Sequence, residues 1–512
     1  MVHKVLVTIA RGITPLLLGL CSVAGRAWGQ FSDRWDPNLT GRPYDEVKQS
    51  IFEQEHKLLK TLGHSSLLME TYAQSLGFHG DRDMDKTRDR NREGLLEDLY
   101  YLADVDFSGV PVDRPRLRLI FGNQWRQQYV KGNNDLLERL IPEGQLYMFF
   151  PDMLQFEDET YKLIYRHRAT VNGTECFEFS VIPRPGAGGS RFSGSIWVET
   201  SSLAIVRVNG EVVSKQPWYK RPFSGRFFHF DSFRERDARG NWVPSVTYFD
   251  DRRTFLTDGD LRNDYRGYSL LWRRSVPGNV QSVSDSRLGG DAARVLEQLE
   301  RDGVLAKVGP EEQNLNAIVL QIKEAASIRE TIQCRILVTT PVEMFPVGST
   351  IVVSRGLLNL VPNKSVLAVF LARSMAAIMQ ADPRPVLPHS MFEFAKTRDF
   401  PGLGITTTPT RDAAIEKQAL LLLQGSGFES GIRETVEFLG GLQKGSKRFH
   451  NLLQPRFGLG IIPSGKGFAE LTPAMLNLHA LNDIRLKETF RVATDGTIRR
   501  VCSECRSDNG SW

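Results

Sequence analysis

At 512 residues the chain is too long for one ordinary hydrophobic core, so two or three domains are expected. It is 41% hydrophobic and 24% charged, a globular composition, with no fixed-period repeat and no extended low-complexity segment. A net charge of +5 without a lysine–arginine block disfavours nucleic-acid binding, and past the first residues no apolar run is long enough to cross a bilayer.

In chain order, the first segment has the pattern of an export signal. Lys4 and Arg11 flank the start, the apolar stretch from Ile13 to Gly25 is too short to span, and Ala27-Trp28-Gly29 offers small residues where a signal peptidase reads. Residues 1–29 are therefore expected to be a signal peptide cleaved before Gln30, with a periplasmic or secreted product; a retained anchor is the competing reading. A lipidated Cys21 is disfavoured by Leu20 before it.

Residues 30–104 read as a helical segment with a charged linker. Val47, Ile51, Leu58, Leu59 and Leu62 share a helical face between Tyr44 and about Leu76. GDRDMDKTRDRNRE, from Gly80 to Glu93, is too polar to hold a core, and a short helix is expected near Leu95 to Ala103.

Between 105 and 274 the period switches to two. Tyr161–Arg168, Cys176–Ile182, Phe192–Glu199, Ala204–Val208, Phe227–Phe233, Val246–Phe249 and Tyr268–Arg273 are predicted strands, with a hairpin turn at Asn172-Gly173. Strands in succession without helices between them imply an antiparallel meander. Residues 275–290, rich in Ser and Gly, form a linker, and 291–512 open with a helix near Asp291. The expected fold class is α+β: a curved antiparallel, half-barrel-like sheet followed by a mainly helical domain with a small β-hairpin.

Four cysteines follow the signal. Cys176 and Cys334 fall on predicted strands as small buried residues. The spacing of Cys502 and Cys505 permits a tight disulfide, a redox pair or half a metal site; the disulfide is the preferred reading in an oxidising compartment.

The phrases GSRFSGSIWVE, SSLAIVRVNGEV, RFFHFDSFRE and WVPSVTYFDDR loosely resemble the outer-membrane lipoprotein carrier and sorting proteins. That resemblance implies a sheet wrapped around an apolar cavity for acyl chains. Phe192, Ile196, Phe228 and Phe230 would line it, unless a filled core takes its place.

The stretch Cys334 to Met379 resembles the core of the zinc metallopeptidases typified by the CAAX prenyl proteases and the periplasmic β-barrel assembly-enhancing protease. It keeps the groove phrase from Gly348 to Leu358 and then an apolar helix beginning near Asn363. In that family the helix carries H-E-x-x-H, two zinc-binding histidines and a general base. Here Arg373, Ser374 and Ala377 fill those slots. A guanidinium stays protonated and cannot coordinate zinc, and alanine has no donor atom. The family's later Glu-x-x-Ala-Asp phrase, which supplies the third ligand, reads Glu416-Lys-Gln-Ala-Leu420, so the ligand is kept and its supporting acid is lost.

An ion pair between Arg373 and Glu416 is expected where the metal would have linked two helices, because a lone arginine in an apolar helix carries a large desolvation cost. His389, His450 and His479 lie on separate segments without H-x-x-x-H spacing, while His167 and His229 read as structural. No cofactor is expected. The leading functional reading is an exported, non-catalytic, metallopeptidase-like factor of cell-envelope biogenesis that binds extended peptide, an envelope protein or lipid. An active zinc metalloendopeptidase with an atypical site and a lipoprotein or lipid carrier acting through the sheet are the alternatives.

Overall fold

The computed structural model describes residues 35, 40–62, 66–78, 93–107, 116–121, 146–186, 189–214, 229–237, 239–251, 263–273, 291–301, 303–380, 409–445, 449–458, 461, 489–492 and 498–501. The expected signal peptide, the 275–290 linker, His389, His479, Cys502 and Cys505 lie outside these residues.

All seven predicted strands are present, and three more join them. Helix α1 (Tyr44–Leu62) precedes β1 (Ser66–Phe78), β2 (Glu93–Asp106) and β3 (Arg116–Phe121). The meander follows as β4 (Tyr161–Val171), β5 (Thr174–Pro183), β6 (Ser190–Glu199), β7 (Ile205–Ser214), β8 (His229–Arg236), β9 (Trp242–Asp251) and β10 (Asn263–Arg273). They form one ten-stranded sheet in the order β3-β2-β1-β10-β9-β8-β7-β6-β5-β4. Pairing β1 with β10 attaches the three N-terminal strands to the end of the meander.

Two expectations change here. The helix from Tyr44 stops at Leu62 rather than about Leu76, and the helix expected near Leu95 to Ala103 is strand β2. The segment 30–104 therefore supplies two strands to the sheet. The cause lies in the burial of both faces. Tyr100 and Leu102 enter one apolar cluster, while Leu99, Tyr101, Ala103 and Val105 enter another. A strand covered on both sides loses its polar alternation and reads as a continuous apolar run.

Gly194 and Gly210 face each other across β6 and β7. A Cβ on Gly194 would lie 2.6 Å from the Gly210 Cα, and one on Gly210 only 2.8 Å from the Phe192 ring. The pair lets the two backbones approach closely beneath that aromatic side chain, a recurrent use of strand glycine.

The second part contains α2 (Asp291–Arg301), α3 (Pro310–Ala325), β11 (Gln333–Leu337), β12 (Met344–Val347), β13 (Thr350–Ser354), α4 (Arg355–Leu360) and α5 (Lys364–Met379). Beyond them come α6 (Pro409–Leu423), α7 (Gly431–Gly445), α8 (His450–Leu453) and the strand pair β14 (Thr489–Val492) and β15 (Ile498–Val501). Its small sheet runs β11-β13-β12, with β11 parallel and β12 antiparallel to β13. The chain is thus α+β, with a long open antiparallel sheet and a helical part holding a small sheet.

Helix α5 begins where the sequence places it. Asn363 is its N-cap, accepting a hydrogen bond from the Val366 amide at 3.0 Å. Val366 to Ala372 are all buried, so the helix runs through the middle of the second core. That core continues into the sheet through Leu68, Tyr72, Tyr100, Leu102, Tyr268 and Leu270, and the helical part is seated on this face.

Candidate functional site

Two places carry side chains that packing alone does not explain. The first is the facing pair α5 and α6. On α6, Asp412 and Glu416 are one helical turn apart, and both are buried. The Arg373 guanidinium reaches across from α5 and places Nη2 3.5 Å from Asp412 Oδ1.

The expected ion pair therefore changes partner: the direct contact is to Asp412, not Glu416. Glu416 stands beside it. Burial pushes its carboxyl above the ordinary range, the Arg373 charge works against that rise, and Asp412 adds to it. Its Oε1 and the Arg373 Nε have no hydrogen-bond partner. Ser374 and Ala377 are buried on α5, and Leu420 packs against the core from α6. Asp412 was missed because the family phrase begins only at Glu416. The signal available was Asp-x-x-x-Glu at one-turn spacing, which turns both acids toward the same neighbour.

The chemistry of this set follows from its members. One guanidinium contacts one carboxylate and stands near a second, and Arg373, Ser374 and Ala377 offer no neutral nitrogen donor. Among the described residues, no three His, Cys, Asp or Glu side chains are grouped so as to hold an ion. The groove phrase also has a different setting from the one expected. All four residues of β12 are buried, and β11 is bridged on its outer side by hydrogen bonds from Ala306 N to Ile336 O and from Val338 N to Val304 O. Strand addition of a peptide needs a freer edge than either provides.

The second place is the other face of the long sheet. Phe177, Phe179, Phe192, Ile196, Phe230 and Phe249 form an apolar surface there, all buried. Helix α1 covers it with Val47, Ile51, Phe52, Leu59 and Leu62 on one stripe. Phe149, Phe150, Leu154 and Phe156, from the segment between β3 and β4, add to the cover, and the Trp35 ring lies against Phe177 and Phe179. The residues expected to line an open cavity, Phe192, Ile196 and Phe230, thus face a core filled by the chain itself; Phe228 lies outside the described residues.

Inside that apolar contact is a charge pair. Glu55 on the buried stripe of α1 meets Arg234 of β8 at 2.7 Å, with side chains 1% and 3% exposed. Glu55 Oε2 and Arg234 Nε are unpartnered. At the rim, His56 Nδ1 lies 3.0 Å from Asp152 Oδ2. A cavity of about 800 Å³ opens beside α1, lined by Gln49, Phe52, His56, Lys60, Asp152 and Phe156 among others.

Cys176 and Cys334 are free thiols, buried as expected, and burial pushes them up to about 11 and about 12 respectively. His167 faces Glu178 at 3.4 Å, and His450 opens α8.

No family model matches the chain, and no curated protein matches it. Among solved structures it is similar to a LolA superfamily protein from Nitrosomonas europaea, with 14% identity over 45% of this chain and 94% of that one and a TM-score of 0.19. A DUF1329 family protein from Desulfovibrio piger aligns at 12% identity over 48% of this chain and 98% of that one, TM-score 0.23. A putative outer membrane lipoprotein-sorting protein domain from Vibrio parahaemolyticus aligns at 11% identity over 47% and 95%, TM-score 0.20.

Proposed function

We propose that the protein is an exported, non-catalytic binding factor of the cell envelope whose ligand is an acyl chain of a lipid or lipoprotein. The ligand is taken onto the apolar sheet face when α1 and the 146–156 segment withdraw. The observation that carries this reading is the way the face is covered. An aromatic surface of this size is closed by one amphipathic helix and a short segment, and the helix is pinned by a buried ion pair. Such a pair adds little net stability, and on this reading its role is to fix one seated position of the helix. The arginine in the metal-helix position supports the non-catalytic half of the proposal, since neither Arg373 nor Ala377 can serve as a zinc ligand.

On this reading the seated helix competes with the ligand. Truncating Leu59 to alanine removes buried contact worth about 2–5 kcal/mol and raises the open fraction. Affinity for a fluorescent fatty acid is then expected to rise by roughly thirtyfold or more, up to the point where the open form predominates, because the closed form holds down the apparent affinity. Titration by fluorescence checks this. Saturable uptake absent from both wild type and Leu59→Ala would contradict the proposal.

A further inference from the structure

The helical part meets the sheet across a seam that is polar and fully buried at its centre. Glu70 of β1 accepts from the Thr340 amide at 2.7 Å and from the Thr340 hydroxyl at 3.0 Å. That hydroxyl also lies 2.8 Å from the Tyr268 hydroxyl of β10. One strand over, Asp98 of β2 accepts from the amides of Asn451 at 2.9 Å and Leu452 at 2.7 Å. Just behind the seam, Glu343 Oε2 accepts three successive amides, Arg456 at 3.1 Å and Phe457 and Gly458 at 2.9 Å. The turn so formed lays the Arg456 guanidinium 5.1 Å from the centre of the Tyr100 ring of β2.

The charged and titratable groups facing these acids can be named from each side. Glu70 faces Tyr100, Tyr268, Thr340 and, at longer range, Arg355 of α4. Asp98 faces His450, Asn451 and Arg456. Glu343 faces Arg456 and Tyr100. The arginines fall short of neutralising the acids, since Arg355 is also shared with Glu311 at 3.6 Å.

We infer that seating of the helical part on the sheet is coupled to proton uptake by Glu70 and Glu343, so that the seam is tightest in acidic surroundings and loosens as pH rises toward neutrality. The hydrogen-bond geometry has room for both protons. Glu343 Oε1 is buried and unpartnered, so a proton added there disturbs none of the three amide bonds on Oε2. A protonated Glu70 donates to the Thr340 hydroxyl, which then donates to Tyr268, so the chain reverses by turning O–H bonds while the heavy atoms stay in place. In each case one O–H bond forms on a carboxylate oxygen, and the proton comes from water.

The sign follows from burial, which pushes both carboxyls up from 4.5 to about 7. Between those two values the closed seam holds protons that a solvated carboxylate has already released. Closure is therefore fully favoured below this window, progressively lost as pH rises across it, and changes little above it.

Hydrogen exchange on the full chain tests this, comparing residues 449–457 with the remote strand β5 at about pH 5.5 and about pH 8. Protection at 449–457, corrected for the intrinsic rate, is expected to fall by roughly 30-fold for each coupled carboxyl, while β5 is unchanged. In the Glu70→Gln/Glu343→Gln variant the difference between the two pH values shrinks to the part left by Asp98, whose carboxyl burial also raises. Equal protection of 449–457 at both pH values in the wild type overturns the inference, as does a full pH response in the folded variant. Should the variant not fold, the contrast between 449–457 and β5 in the wild type decides alone.

Discussion

Replacing Arg234 with methionine is expected to destabilise the protein by about 3–5 kcal/mol, because it leaves Glu55 charged and unpaired in an apolar contact. The reverse change, Glu55→Leu, strands the guanidinium and carries a similar cost. Together the two are expected to return most of the loss, since a buried ion pair and a well-packed apolar pair are often close in stability. Urea unfolding of the four proteins forms a double-mutant cycle, and the coupling between the sites is the quantity of interest. Additive losses would mean that Glu55 and Arg234 do not hold α1 in place. The cycle also bears on the ligand: once the charges are gone, α1 still covers the sheet but has lost its preferred position.

The second large effect concerns α5. Positions 373 and 377 are one helical turn apart, and α6 brings Glu416 beside them. The triple change Arg373→His, Ser374→Glu and Ala377→His would give this helix two nitrogen donors and a base in H-E-x-x-H spacing, none of which it has. The triple variant is expected to take up one zinc per chain. Wild type, with a guanidinium in the slot, is expected to take up none. Adding Leu420→Asp to the variant supplies a supporting acid and is expected to tighten zinc by about 10–100-fold. Metal analysis after dialysis checks each protein. Stoichiometric zinc in the wild type, together with peptide cleavage, would favour the metallopeptidase reading.

What could be read from the chain differed by element, for physical reasons. The seven strands from Tyr161 onward were legible because turn residues punctuate them and one face of the meander keeps polar positions. Helix α5 was legible because an Asn N-cap precedes an unbroken apolar run. Strand β2 was not legible, since its burial on both sides erased the alternation that identifies a strand. The covering of the aromatic sheet face was half legible. The stripe of α1 showed that it packs on something, but nothing local says which surface it meets more than a hundred residues away. The same limit hid the Glu55–Arg234 pair and the seam around Glu70, where each acid finds its partner only through tertiary folding. At the position that the metallopeptidase resemblance would assign to a metal, the lack of ligands was plain in the residue types. The choice of Asp412 over Glu416 depended on how two helices lie against each other.

The most direct test of the account is extraction of protein purified from its own cells, followed by mass spectrometry of the organic phase. Acyl-bearing molecules in fixed proportion to wild-type protein, and in a changed proportion to Leu59→Ala, are the predicted result. A wild-type protein free of any acyl molecule, with α1 equally protected from exchange whether or not lipid is added, would contradict it.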